Sequence, residues 1–170
     1  MEHKDKSLIK ILFSIKETNT LNKYSKITME TRFCFLKNIS LTNRTRLKAF
    51  LAKLSVEEKT KIGSLTIIFC SNQYLLDINK QFLKHDYYTD IITFDLTTKG
   101  SKEKTAEIYI STDQIRKNAI GFNTTINNEL HRVIFHGVLH LCGYNDKTRR
   151  QKEIMTQKEN KYLTKYITHK

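Results

Sequence analysis

The chain has 170 residues, enough for about one domain, and its 39% apolar content suffices for a single core. A formal net charge of +13 favours a polyanionic partner, nucleic acid above all, although the excess of Lys over Arg and the absence of Pro and Trp also fit drift in base composition. Three irregularly spaced cysteines, Cys34, Cys70 and Cys142, imply no disulfide framework and fit a reduced, cytoplasmic setting.

Residues 1–28 read as an N-terminal extension, with Met29 as an alternative start, and residues 29–170 as one domain. Leu8–Ile15 is interrupted by Lys10, lacks a small-residue cleavage site after it, and falls far short of the roughly 20 residues that a membrane span needs. Neither a signal peptide nor a membrane partner is expected. Arg32–Asn38 then reads as a strand. Leu47, Phe50, Leu51 and Leu54 give a helix over Thr42–Leu54. Leu65–Cys70 is a buried strand, and Asn72–Leu83 returns to helical period. Ile91–Leu96 and Glu107–Ile110 are further strands around a solvated Lys and Thr loop. Ser111 and Gln114 have the spacing of a capping box, with Gly121 set to end the helix that follows. Thr125–Cys142 is apolar almost all round and so predicts a buried helix. A Lys-rich helix over Thr148–Tyr166 is expected to pack through Ile154, Met155, Tyr162 and Leu163.

The segment His136-Gly-Val-Leu-His140-Leu-Cys-Gly143-Tyr-Asn-Asp146 carries the chemistry. Histidines four residues apart share one helical face, with Cβ atoms roughly 5–6 Å apart, close enough for both rings to reach one ion. Gly143 allows the helix to stop in the left-handed conformation, and the returning chain brings Asp146 as a third ligand. Three protein ligands with one open position are the catalytic pattern for a single zinc ion. Cys142, two residues after His140, reads better as a small buried apolar group than as a ligand. Metallopeptidases of the His-Glu-x-x-His type place their general base directly after the first ligand, where this chain has Gly137.

These residues resemble the signature of the YbeY family of bacterial rRNA-maturation endoribonucleases, His-Gly-x-Leu-His-Leu-x-Gly-Tyr-Asp-His, at all but its last two fixed positions. Ile78-Asn79, Asp86, Thr89 to Phe94 and Ala106 to Ser111 also look like segments of that family. The resemblance implies an α+β fold: a small mixed four-stranded sheet with surrounding helices, and the metal site on a buried helix and the following turn. It implies Zn²⁺ on His136, His140 and Asp146, and single-stranded RNA as substrate, chiefly the rRNA precursor at the 3′ end of the small-subunit RNA, in association with the ribosome.

Three departures follow from it. Asp146 stands where the family has a third His, which keeps a ligand but adds negative charge, and so leaves a bound water less acidified. Asn145 replaces an Asp. Leu83 stands where the family usually has Arg, so phosphate contact passes to Lys84 or His85. Asp90 is a candidate to orient a ligand imidazole, beside the plainer reading of a turn Asp. Lys147, Arg149 and Arg150 form either the floor of an RNA groove or a solvated helix start. The alternatives to an endoribonuclease are a metallohydrolase of another substrate such as peptide, and a ribosome-associated binding protein with structural zinc. Cleavage position and oligomeric state are not legible in the sequence.

Overall fold

A computed structural model describes residues 29–168; the expected extension at 1–28 lies outside the described residues. Four strands form one mixed sheet: β1 (Glu30–Phe35), β2 (Ile62–Cys70), β3 (Ile91–Asp95) and β4 (Lys104–Ser111). The order is β1-β2-β4-β3, with β1, β2 and β4 parallel and β3 antiparallel to β4. Five helices surround it: α1 (Arg44–Glu57), α2 (Asn72–Ile78), α3 (Thr112–Gly121), α4 (Ile126–Leu141) and α5 (Arg149–Thr168).

Alternation along the strands assigns the two faces. Leu65, Ile67 and Phe69 of β2, with Ala106, Ile108 and Ile110 of β4, join the main core that also takes Leu47, Leu51 and Leu54 of α1 and the apolar side of α4. The opposite face carries a smaller cluster, Cys70, Leu75 and Ile92, with Ile78, Phe94 and Tyr109 against it. The first strand starts and ends earlier than the sequence suggests, and α1 runs on to Glu57, because pairing and packing set these ends.

Three departures from local expectation have identifiable causes. The expected helix over Asn72–Leu83 is α-helical only to Ile78 and then widens into a π turn over Asn79–Leu83, ended by Lys84 at φ 60°. The wider turn carries Asn79 into the interior, where it is 2% exposed. Gly121 stays helical, and Asn123 at φ 50° makes the left-handed turn after α3, since Asn tolerates that conformation. On α5 the buried face is Met155, Glu159, Tyr162 and Tyr166, with Ile154 turned toward solvent. Ser111 does cap α3, accepting from the Gln114 amide. Thr125 caps α4 in the same way through the Asn128 amide.

Among the described residues no helix is long and apolar enough to cross a membrane.

Candidate metal centre

Helix α4 runs against the sheet, and ten of its residues are buried. Gly137 permits this closeness. A Cβ there would stand 2.7 Å from Ile91 Cδ1 and 2.9 Å from Ile108 Cδ1. Position 137 thus faces the sheet, away from the pair of histidines, and a Glu at this point has neither room nor aim to act as a base. His136 and His140, one turn apart, emerge on the half-buried side. Gly143, at φ 93°, reverses the chain after α4, and Asp146 returns toward the two rings. His136 Nε2 lies 2.9 Å from His140 Nε2 and 3.8 Å from Asp146 Oδ2. One ligand atom from each of the three falls within 4.8 Å of the others.

The other nitrogen of each ring is occupied. His136 Nδ1 donates to Glu159 Oε1 at 2.6 Å, and His140 Nδ1 donates to the Tyr144 carbonyl at 2.8 Å. A carbonyl oxygen only accepts, so His140 carries its proton on Nδ1 and presents a bare lone pair at Nε2. Glu159 imposes the same tautomer on His136. Burial would raise the Glu159 carboxyl pKa, but the hydrogen bond from His136, with the hydrogen bond and charge of Arg132, outweighs it and holds the group ionised. Burial and the neighbouring His136 lower the pKa of His140, which favours the neutral, ligating ring. Two lone pairs facing each other at 2.9 Å repel. A cation between them relieves this, and bonds of about 2.0–2.1 Å at tetrahedral angles would set the two nitrogens about 3.4 Å apart.

The surrounding charge has the same sense. Arg132 is clamped by Glu129 through two bonds of 2.7 and 2.8 Å, reaches Glu159 Oε2 at 2.9 Å, and lies 3.9 Å from Asp90 Oδ2. Three carboxylates, Asp90, Glu129 and Glu159, therefore gather around one guanidinium, and Asp146 adds a fourth negative group at His136, leaving a local shortage of positive charge in a strongly basic chain. The donor set, the fixed tautomers and this shortage suit a divalent ion.

Asp90 does not orient an imidazole. Its carboxylate accepts from Asn118 Nδ2 at 3.1 Å, and the two orienting positions belong to Glu159 and to the Tyr144 carbonyl. Glu159 and Arg132 were missed in the sequence; the available signal was a Glu in register with the buried Met155 and Tyr162. Cys142 caps the end of α4 and packs on the core, outside the group of three. Lys84 and His85 sit in the exposed segment after the π turn, Lys84 Nζ donating to the Gln81 carbonyl and His85 stacked on Tyr87. Lys147 and Arg149 line a depression of about 510 Å³ with Lys152, Glu153, Thr156 and Gln157, whereas Arg150 is exposed outside it.

A second buried carboxylate anchors the turn that carries Asp146. Glu58, just past α1, accepts from Tyr144 Oη at 2.7 Å, from Lys158 Nζ at 2.9 Å, and from Tyr162 Oη. Burial works to raise the Glu58 pKa, but the bonds from Tyr162, Lys158 and Tyr144 prevail and bring it from 4.5 to about 2. A folded value below the unfolded one gives stability that is complete above 4.5 and is lost as pH falls toward about 2. Glu58→Gln is therefore expected to cost about 1–3 kcal/mol at pH 7. Denaturant midpoints should show the gap to wild type closing between those two pH values; a gap that stays constant across them would refute this.

A family model described as Endoribonuclease YbeY matches residues 26–167. Endoribonuclease YbeY of Cytophaga hutchinsonii is 46% identical over 138 residues, which span 79% of this chain and 95% of that relative. The protein of the same name from Parabacteroides distasonis is 52% identical over 103 residues, 61% of this chain and 71% of the relative. Among solved structures, the solution structure of TM1509 from Thermotoga maritima superposes with a TM-score of 0.54 at 26% identity, covering 82% of this chain and 89% of that one.

Proposed function

The chain belongs to the YbeY endoribonuclease family, and we propose that it is a metal-dependent endoribonuclease that cleaves single-stranded RNA in rRNA maturation, at the 3′ end of the small-subunit RNA. The observation that supports this reading is the convergence of His136 Nε2, His140 Nε2 and Asp146, with each ring's remaining nitrogen already committed. These three residues would hold one zinc ion, which when bound supplies Lewis acidity at a phosphoryl oxygen and a water acidified to near neutral pH.

The chain's own residues do the rest. Glu159 and the Tyr144 carbonyl keep both imidazoles in the tautomer that exposes Nε2, and Arg132 holds Glu159 in place. We assign Lys84 and His85 to substrate contact, with the Lys84 ammonium offsetting charge on the scissile phosphate in place of the arginine that Leu83 replaces. Lys147, Arg149 and Lys152 extend the basic path beyond Asp146. The working unit is residues 29–170, with 1–28 an extension, and its setting is cytoplasmic, at the ribosome.

Peptide hydrolysis is not favoured, because position 137 is turned into the sheet. A purely structural zinc is not favoured either, because structural sites close with four protein ligands. The purified full chain is expected to cut labelled single-stranded RNA, to spare duplex RNA and casein, to lose activity to a chelator, and to regain it with zinc. Cleavage of casein, or stoichiometric metal with no RNA cleaved, would overturn the proposal.

A further inference from the structure

The segment between the π turn and β3 is organised by one buried residue, Asn79. The Asn79 carbonyl accepts from the His85 amide at 3.3 Å, and Asn79 Nδ2 donates to the Tyr87 carbonyl at 2.9 Å. Residues 85 and 87 are thus tied to one residue, the first through its main-chain carbonyl and the second through its side-chain amide, and that residue is 2% exposed. The rings they carry are stacked, with centroids 5.2 Å apart and planes inclined by 23°, and the Tyr87 hydroxyl lies 3.2 Å from His85 Nδ1. Nevertheless Tyr87 is 58% exposed and Tyr88 56%. An aromatic face held in a fixed orientation toward solvent needs little further ordering to receive a flat partner.

The position and charge of this pair point to one ligand. Asp90, three residues on, lies 3.9 Å from Arg132, and Ile91 packs where the α4 backbone comes closest at Gly137, beside His136. Three residues span at most about 10 Å, the length of a few nucleotides stacked about 3.4 Å apart. Lys84 stands next to His85 with, among the described residues, only a backbone carbonyl as its partner, while Asp86 is paired with Lys80 at 2.8 Å. A ring face with a cation in the same short segment matches a nucleobase and its phosphate. The other aromatic hollow, lined by Tyr74, Phe82, Phe94 and Tyr109, bears Asp77 and Glu107, which oppose a phosphate chain.

We propose that the free face of Tyr87, braced by His85 and fixed by Asn79, stacks on an unpaired base of the RNA substrate and thereby selects single strands over duplex. The inference rests on the endoribonuclease reading above, and it assigns the residue that sets strand preference. Bases in a duplex are already stacked on both faces and offer no surface to the ring.

Binding is measured with the metal-free full chain, so that the RNA stays intact, by fluorescence anisotropy of labelled oligomers. Tyr87→Ala is expected to weaken single-stranded RNA about 5- to 100-fold and to leave duplex RNA within about twofold. Tyr87→Phe keeps the ring and should keep most of the affinity. An oligomer of abasic nucleotides should bind wild type and Tyr87→Ala alike. Equal losses on single and double strands, no loss at all, or a Phe variant as weak as the Ala variant would each overturn the proposal. The two readings fail separately. A wild type that shows this binding pattern but cuts no RNA defeats the endoribonuclease assignment, whereas one that cuts single strands while Tyr87→Ala binds them undiminished defeats only the stacking.

Discussion

His136→Ala is expected to lower RNA cleavage by at least about a thousandfold, with His140→Ala as severe and the double variant scarcely worse. Acidifying a water from a pKa near 15.7 to about 7 raises its deprotonated fraction at neutral pH by many orders of magnitude, and weaker nucleophilicity returns only part of that gain. Removing one imidazole leaves two donors, too few to retain the ion, so the losses do not add. Asp146→Asn keeps an oxygen donor but discards a charge, and a loss of about 10- to 100-fold is expected. Single-turnover cleavage of labelled RNA, with bound metal counted by mass spectrometry in the same samples, gives the answer. Full cleavage by either alanine variant would mean that the paired nitrogens, 2.9 Å apart, do not form the reactive centre.

The second large effect is expected at Glu159, through its hold on His136 and Arg132. Glu159→Ala should cost about 3–5 kcal/mol of stability, because it removes one partner from a buried ionic cluster and leaves the Arg132 guanidinium to Glu129 and a distant Asp90. It should also weaken metal binding about 10- to 100-fold, since nothing then fixes the proton of His136 on Nδ1. Glu159→Gln keeps an oxygen that accepts from His136 but loses the charge, so metal affinity should fall by about tenfold at a smaller stability cost. Competitive titration with a metal-sensitive dye reads affinity, and thermal melts of the metal-free chain read stability. Unchanged metal affinity in the Gln variant would remove Glu159 from the site and leave it a role in packing alone.

Much of the site was legible because its donors are close in sequence. His136, His140, Gly143 and Asp146 need only one helical turn and one reversal, and the left-handed Gly143 supplies the reversal. The mixed four-stranded sheet expected from the family resemblance is also the one observed. Glu159 was not legible in the same way. It lies 23 residues from His136 on a helix whose expected packing residues, Ile154, Met155, Tyr162 and Leu163, do not share one narrow stripe. Which face turns inward, and so whether Glu159 joins Met155, Tyr162 and Tyr166 in the interior, is decided by the elements the helix packs on. Asp90 failed as an orienting group for a related reason. Carboxylates near a motif are interchangeable on paper, and the one that bonds is settled by which helix crosses the site.

The sequence by itself determined the donor types, their arrangement on one helical face and the turn that follows, because these depend on covalent order and on the helix repeat. Tertiary structure alone decided which nitrogen of each histidine keeps its proton, why a side chain at position 137 would press on Ile91 and Ile108, and how a π turn fixes Tyr87 through Asn79. Those outcomes depend on groups brought from distant parts of the chain to within hydrogen-bond or van der Waals distance, and such contacts follow packing between elements, which no local spacing encodes.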